Sequence, residues 1–206
     1  YFIYRSNSYI ISDFINFWIL MPKQYPTPIK EWTIDDVRLW SHIVFEEVDE
    51  KWILHQCTWL EYIVKIKPNI VVVDNHDRVL EFREKWLPVI HIDQHTDMKP
   101  VWPEWVNVGN FLRHALDTWL IPTVKQVNTE YTLTTLDLWV FDFENWVILD
   151  IDLDFWHPDM SIENYQKTID ITKKLIKKSR VVTIATSPYF LDQNLALKLL
   201  KDILIS

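Results

Sequence analysis

Glycine is almost absent from this chain. Gly109 is the only glycine among 206 residues, whereas tryptophan occurs 12 times; glycine ordinarily makes up about 7% of residues. Some tryptophans stand where helix-end chemistry favours glycine, such as Trp119, which follows a helical stretch and shortly precedes Pro122. One hypothesis is that the gene reads UGA as glycine and was translated with a code that reads UGA as tryptophan. The alternative is a naturally Trp-rich protein.

Cysteine, positive charge and long apolar runs are also scarce. Cys57 is the only cysteine, so no disulfide can form within the chain, and nothing indicates an oxidising compartment. The net charge of −8 argues against nucleic acid and anionic membranes as partners and favours a cationic substrate. The apolar stretch 14–21 is shorter than the roughly 20 residues of a membrane span. No signal peptide is evident, and we expect a cytoplasmic protein.

Short apolar runs that end in polar residues alternate with helical patterns along the chain. The apolar runs are 69–73, 88–92, 147–149 and 181–185. Such Val- and Ile-rich runs are typical of parallel strands that are covered on both faces. The helical patterns are 110–116, a longer one that begins at Ser161, and 195–204. The sequence predicts one α/β domain over residues 1–206, less regular over 1–65, with its ligands at the carboxyl ends of the strands.

Two clusters of metal-competent side chains follow two of these runs. They are Asp93-x-His95-x-Asp97 and Asp150-x-Asp152-x-Asp154. Where the backbone is extended, residues at period two project to one side, so each cluster presents three polar groups together. Carboxylates this close repel each other unless they are protonated or a cation neutralises them. Solvated acidic loops would explain one such motif, but two motifs after two strands favour a metal site.

The donor types in these clusters indicate the class of metal. Carboxylates together with one or two imidazoles are typical ligands of Mn, Fe, Co or Zn and do not indicate a thiolate site. Four carboxylates balance the charge of two divalent ions, which predicts a two-metal centre; they are those of Asp93, Asp97, Asp152 and Asp154. His76 follows another Val-rich run and is a candidate ligand of the first metal.

The combination of motifs resembles a known superfamily. Asp93-x-His95-x-Asp97 and Asp152-x-Asp154 are similar to the two metal motifs of the arginase/deacetylase superfamily, and Asp74-Asn75-His76 is similar to the upstream His motif of its ureohydrolase branch. More narrowly, the segment from Val73 to Pro188 resembles the arginase-like family that includes peptide arginases. Those enzymes convert arginine side chains of peptides to ornithine and release urea. The resemblance implies a three-layer α/β sandwich and a pair of Mn²⁺ ions.

The resemblance also implies how the ligands are shared. One metal would be held by His76, Asp93, Asp97 and Asp152, and the other by Asp93, His95, Asp152 and Asp154. Asp93 and Asp152 would bridge the two ions. Single-metal deacetylases usually carry His where this chain has Asp154, so the residue favours the two-metal branch. Asp150 matches a position that helps to orient a His in deacetylases.

The acid that would protonate the departing amine is less clearly marked in the sequence. Gly109 to His114 resembles, imperfectly, the arginase loop that carries the general-acid His. His114 is therefore the candidate general acid, although it stands two positions late in the pattern. His91 and His157, which flank the metal motifs, are the alternatives.

Three functions are compatible with the sequence. The first is hydrolysis of the guanidinium of arginine, in a peptide or a small guanidino substrate, with Asp192 or Glu144 as the carboxylate that binds it. The second is deacetylase-like amide hydrolysis, for which the sequence shows no secure carbonyl-polarising Tyr. The third is a metal-stabilised binding module without turnover.

Overall fold

The computed structural model describes residues 30–31, 33–39, 45–48, 54–58, 60–61, 63–82, 84–101, 106–136 and 146–205. The strands within these ranges are β1 (Lys30–Glu31), β2 (Phe45–Val48), β3 (Leu54–Cys57), β4 (Val64–Lys67), β5 (Ile70–Val73), β6 (Val89–Ile92), β7 (Val124–Val127), β8 (Ile148–Asp152) and β9 (Val181–Ala185). The α-helices are α1 (Phe111–Asp117), α2 (Glu130–Thr134), α3 (Tyr165–Lys178) and α4 (Gln193–Leu204). Short 3₁₀ helices cover Ile34–Asp36, His76–Phe82, Leu153–Trp156 and Pro158–Met160. None of the helices in these ranges has the length and apolar character needed to cross a membrane.

Seven of the strands form one sheet in the order β1-β4-β5-β9-β8-β6-β7. The neighbours in this sheet are parallel except β4 and β5, which are antiparallel. Strands β2 and β3 form a separate antiparallel pair. The mainly parallel sheet with interspersed helices confirms the predicted α/β fold class.

The central strands divide their side chains between two hydrophobic cores. In β5, Ile70 and Val72 belong to one core, while Val71 and Val73 belong to the other, as the alternation of side chains along a strand requires. The first core also contains the buried apolar side chains of α3 and α4, and the second contains those of α1. Helices therefore cover both faces of the sheet, which gives the three layers that were expected.

Most predicted elements are present, and one helix begins later than predicted. The run 181–185 is β9, and the run 69–73 contains β5. Helix α3 was predicted to begin at Ser161 but begins at Tyr165. Ser161 has a φ of 50°, a left-handed conformation that a right-handed helix excludes. Residues 1–29 of the less regular N-terminal part lie outside the described residues.

Two of the tryptophans that the structure describes adopt a left-handed backbone. The φ angle is 70° at Trp86 and 58° at Trp119. Beyond the end of α1, the N–H of Trp119 donates to the carbonyl of Leu116, and the N–H of Leu120 donates to the carbonyl of Ala115. This pair of bonds is the Schellman motif, whose left-handed position is usually glycine. Both indoles are mostly exposed, so core packing does not require tryptophan at either position.

Candidate metal centre

The carboxyl ends of four parallel strands meet at one edge of the sheet. Val73 at the end of β5 pairs with Ala185 of β9, which pairs in turn with Asp152 of β8. Ile92 of β6 pairs with Ile151 of β8. The ends of these strands and the segments that follow them therefore converge, and they contain all six predicted metal ligands: His76, Asp93, His95, Asp97, Asp152 and Asp154.

The first of two clusters at this edge surrounds the imidazole of His76. Its Nδ1 lies 3.1 Å from Oδ2 of Asp93 and 3.1 Å from Oδ2 of Asp152. The same nitrogen lies 3.5 Å from Oδ2 of Asp97. Two ligands of one ion with bonds of about 2.2 Å are at most about 4.4 Å apart, so these separations suit a shared cation. We call this group the inner cluster.

The second cluster contains His95, whose Nδ1 lies 3.1 Å from Oδ2 of Asp154 and 3.4 Å from Oδ1 of Asp93. We call it the outer cluster. Asp93 belongs to both clusters, because its Oδ2 faces His76 and its Oδ1 faces His95. A carboxylate placed in this way is suited to bridge two cations. Asp152 contacts the inner cluster through Oδ2, and its Oδ1 accepts the backbone N–H of Asp154; its bridging role stays a prediction.

The buried atoms of the two clusters fit a cation better than they fit each other. Among the described residues, several atoms of the two clusters and of the adjoining His91 have no hydrogen-bond partner: Nδ1 and Nε2 of His76, Nε2 of His91, Oδ2 of Asp93, and both carboxylate oxygens of Asp154. Each buried polar atom without a partner costs about 1–3 kcal/mol. These nitrogen and oxygen atoms lie close together without hydrogen-bond geometry. A positive ion between them would bind the lone pairs of several of these atoms at once.

Asp150 lies behind the inner cluster and contacts His76 and the neighbouring His91. Its Oδ2 accepts a hydrogen bond from Nδ1 of His91 at 3.1 Å, and its Oδ1 lies 3.2 Å from Nε2 of His76. The hydroxyl of Thr183 donates to the same Oδ1 at 2.6 Å. These contacts suit the orienting role that the resemblance implies for Asp150, since a carboxylate that accepts the outer N–H of an imidazole fixes its tautomer and its direction.

Other contacts fix the ligand carboxylates and the loop after β6. The hydroxyl of Ser187 donates to Oδ2 of Asp152, and the backbone N–H of His95 donates to Oδ1 of Asp93. The side-chain amide of Asn128, at the end of β7, donates to the backbone carbonyls of Asp93 and His95. These bonds hold Asp93, Asp152 and the loop after β6 in place.

The pKa values of the imidazoles are raised. Burial alone would lower the pKa of His76, but the charge of Asp150 and the contacts with Asp152 raise it well above its usual value. The carboxylates of Asp154 and Asp93 raise the pKa of His95 to about 10.

The carboxylates are shifted in both directions. Burial alone would raise the pKa of Asp93, but the nearby imidazoles hold it well below its usual value. Burial raises the pKa of Asp97 to about 8, and burial with the charge of Asp152 raises the pKa of Asp154 to about 7. Shifts of both signs within one cluster are typical of functional sites, because each group responds to its neighbours as well as to burial.

The site opens to solvent at the outer cluster. The side chain of His95 is 45% exposed, whereas those of His76 and Asp154 are 2% and 0% exposed. The ring of Phe190 lies against His95 with their centroids 5.0 Å apart, and Phe190 is itself 39% exposed. A substrate would therefore reach the centre past an imidazole and an aromatic ring.

In the part of the chain that the structure describes, the candidate general acids His114 and His157 and the candidate guanidinium-binding carboxylate of Asp192 have fewer contacts with the two clusters. Within the described residues, the imidazole of His114 on α1 forms no hydrogen bond or ion pair with the six ligands, and its role as the acid stays a prediction. Nδ1 of His157 accepts the backbone N–H of Asp159. The carboxylate of Asp192 caps α4 by accepting the N–H of Leu195, and Glu144 lies outside the described residues.

Three residues at this edge were not assigned to it from the sequence. His91 was considered only as a possible acid, although it stands at period two before Asp93, the same spacing that identified the other ligands. Ser187 carried a signal of a different kind, since it follows β9 at the carboxyl edge where ligands are expected. Asn128 had no such signal, because β7 is too polar to be recognised as a strand.

No protein-family model and no curated protein matches this chain. Among solved structures, proclavaminate amidino hydrolase from Streptomyces clavuligerus is similar with a TM-score of 0.48 and 15% identity, covering 65% of this chain and 62% of that one. A hypothetical agmatinase from Burkholderia thailandensis is similar with a TM-score of 0.48 and 14% identity, covering 69% and 57%. The chain therefore spans less than two thirds of the length of each of these two proteins.

Proposed function

We propose that this chain is a metal-dependent hydrolase that acts on the guanidinium of arginine, within a peptide or in a small guanidino substrate, and releases urea. The observation that carries the proposal is the pair of overlapping clusters that share Asp93, together with their buried atoms that have no hydrogen-bond partner among the described residues. Oxygen and imidazole donors in this ratio suit Mn, Fe, Co or Zn. We propose Mn²⁺ on the strength of the sequence resemblance.

The proposal gives each cluster one divalent ion. The inner ion would contact His76, Asp93, Asp97 and Asp152, and the outer ion would contact Asp93, His95, Asp152 and Asp154. When two divalent ions are bound, they lower the pKa of a water molecule towards neutrality, which supplies the nucleophile for the guanidinium carbon. The protein keeps Asp93 and Asp152 in position through the backbone N–H of His95 and the hydroxyl of Ser187. His114 donates the proton to the departing amine in this proposal.

The preference for a peptide is supported by the charge and the openness of the site. The net charge of −8 favours a cationic substrate. The outer cluster opens beside the exposed ring of Phe190, and the planar guanidinium of an arginine stacks well on an aromatic face. Because His95 is half-exposed rather than enclosed, an arginine side chain can enter while the rest of a larger molecule stays outside.

The decisive experiment measures urea release by the Mn²⁺-loaded protein from an arginine-containing peptide and from free arginine at matched concentrations. We expect faster release from the peptide. Equal or faster release from free arginine would contradict the peptide preference but not the chemistry.

Two other outcomes would replace the proposal. Release of acetate from an acetyl-lysine peptide, without urea from any guanidino substrate, would identify an amide hydrolase. Binding of Mn²⁺ and peptide without either product would identify a binding module. Metal content alone does not separate these three functions, so the products have to be measured.

A further inference from the structure

A second imidazole points into the inner cluster. His91, in β6, is 0% exposed, and its Nε2 lies 3.2 Å from Oδ2 of Asp93 and 3.8 Å from Oδ2 of Asp97. Nδ1 of His76 lies 3.1 Å and 3.5 Å from the same two oxygens. The two rings are stacked with their centroids 5.1 Å apart. One nitrogen of each imidazole therefore converges on the same pair of carboxylate oxygens.

The other nitrogen of His91 is held by a row of buried side chains across three strands. His91 pairs in register with Asp150 of β8, and Asp150 pairs with Thr183 of β9. Asp150 accepts hydrogen bonds from Nδ1 of His91 and from the hydroxyl of Thr183. An ionised carboxylate only accepts, so His91 must carry its proton on Nδ1. In the neutral ring, Nε2 then presents a lone pair to the inner cluster.

A charged His91 that donates on both sides fits the contacts less well. Such a ring would donate from Nε2 to Asp93, yet within the described residues neither Nε2 of His91 nor Oδ2 of Asp93 has a hydrogen-bond partner. The two atoms are close enough but wrongly directed for a hydrogen bond, as expected for two ligands that point at a common third atom. A lone pair and a carboxylate oxygen that face each other in a buried site are both satisfied by a cation between them.

We propose that Nε2 of His91 is a direct ligand of the inner cation, together with His76, Asp93 and Asp97. These four side chains place one ligand atom each within 4.8 Å of one another. The inference rests on the proposed function only in taking the clusters to be a metal centre. It adds a second imidazole to an ion for which the sequence resemblance implies one, and it makes Asp150 the positioning residue for His91.

The test is a calorimetric titration with Mn²⁺ of the full chain and of His91→Asn and His91→Phe. Asn keeps an N–H donor near the position of Nδ1 for Asp150 but has no atom in place of Nε2. We expect both variants to bind the inner ion at least about 10-fold more weakly, because the lost atom is a direct ligand. His157→Asn is the matched control, since His157 lies outside both clusters, and its affinity should equal that of the parent.

A spectroscopic measurement on the parent keeps the inference testable even if a variant does not fold. Electron spin-echo modulation from ¹⁴N in the Mn²⁺-loaded parent should show three coordinated imidazoles for the two ions, and His91→Asn should show two. A parent that binds no Mn²⁺ would overturn the proposed function as well as this inference. Two imidazoles in the parent, or parental affinity in a folded His91→Asn, would overturn the role of His91 alone.

Discussion

The left-handed backbone at Trp119 has a measurable energetic cost. A residue with a Cβ atom loses roughly 1–2 kcal/mol in this conformation, whereas glycine costs about 0.5–1 kcal/mol in additional chain entropy. The indole is 67% exposed and contributes little packing to offset the strain. We therefore expect Trp119→Gly to raise the free energy of unfolding by about 0.5–1 kcal/mol in urea denaturation. Trp86→Gly should act in the same direction, since φ is 70° there.

Trp146 provides the control for this prediction. It is 64% exposed, close to the 67% of Trp119, but it is not among the residues with positive φ. Trp146→Gly should lower the free energy of unfolding by about 0.5–1 kcal/mol, because only the entropic cost of glycine applies. If all three variants were destabilised alike, strain would not explain the positions of these tryptophans. UGG codons at all 12 tryptophans would separately rule out a UGA code change.

Asp152 is the single residue whose charge matters most to the proposed centre. Its Oδ2 lies 3.1 Å from Nδ1 of His76 and accepts the hydroxyl of Ser187, while its Oδ1 accepts the N–H of Asp154. Asp152→Asn keeps the shape of the side chain but removes one of four negative charges, so at least one divalent ion should be lost. We expect urea release to fall about 100-fold or more. Metal analysis and the rate of urea release measure the two effects.

Asp159→Asn is the matched control for the change at Asp152. Asp159 follows the same motif, and its side chain is 80% exposed. This variant should keep two ions and the parental rate. A folded Asp152→Asn with two bound ions and near-parental activity would show that Asp152 does not hold the metals, and the arginase-like chemistry would lose its support.

At the scale of secondary structure, Glu130 connects two helices through its charge. It is the first residue of α2, and its two carboxylate oxygens accept the backbone N–H groups of Glu163 and Asn164 just before α3. Although desolvation opposes the effect, these N–H groups lower the pKa of Glu130 below its usual value of 4.5. An acid whose pKa is lower in the folded state stabilises the fold above its unfolded-state pKa. That contribution is lost as the pH falls through the folded-state pKa.

The lowered pKa of Glu130 predicts how the stability of Glu130→Gln depends on pH. The variant should be less stable than the parent near pH 7, and the difference should shrink as the pH falls below about 4.5. Thermal unfolding of both proteins across this pH range measures it. Glu163→Gln is the control, because only the backbone N–H of Glu163 takes part in the contact. A difference that is the same at pH 7 and pH 3 would mean that the charge of Glu130 is not responsible.

The elements that could be predicted from the sequence are those whose residues carry their own signal. The Val- and Ile-rich strands β5, β6 and β9 are buried on both faces, so their runs are uninterrupted. Strand β7 has a single neighbour in the described sheet and contains the exposed residue Lys125. Its sequence therefore resembles that of a polar loop. Helix α2 is 5 residues long, too short for a helical period to show.

The candidate site divides in the same way. Five of the six ligands share period-two spacings that a sequence displays directly, and His76 follows a Val-rich run. His91 has the same period-two spacing, but a histidine within a strand is more often a hydrogen-bonded core residue, so the spacing alone did not identify it as a ligand. Its direction depends on the register that sets it opposite Asp150 and sets Asp150 opposite Thr183. Register between strands that are distant in sequence is a property of the folded sheet, so it had to be observed.

At the scale of the whole molecule, the proposed metals connect segments that are far apart in the chain. The ligands follow β5, β6 and β8, which are joined in the sheet through β9 and through direct pairing of β6 with β8. The seven-stranded sheet brings like charges together at its carboxyl edge, where four Asp side chains of the two clusters are buried. Without a divalent ion, this repulsion is reduced only by the neighbouring imidazoles and by protonation of Asp97 and Asp154, whose pKa values are raised to about 8 and about 7. Divalent ions that neutralise it should therefore stabilise the fold as well as enable the chemistry.

This coupling predicts that Mn²⁺ raises the melting temperature of the chain. A ligand that binds the folded state alone at about 100 times its dissociation constant stabilises it by about 2.7 kcal/mol. For a domain of this size that corresponds to a rise of roughly 5–10 °C.

Metal analysis of the same sample should give about two ions per chain, because four carboxylates exceed the usual requirement of one ion. A chelator should reverse the rise, and Asp152→Asn should show a smaller one. One ion per active chain, with no second site on titration, would indicate a single-metal centre, and an unchanged melting temperature would mean that the acidic edge is stable without a cation.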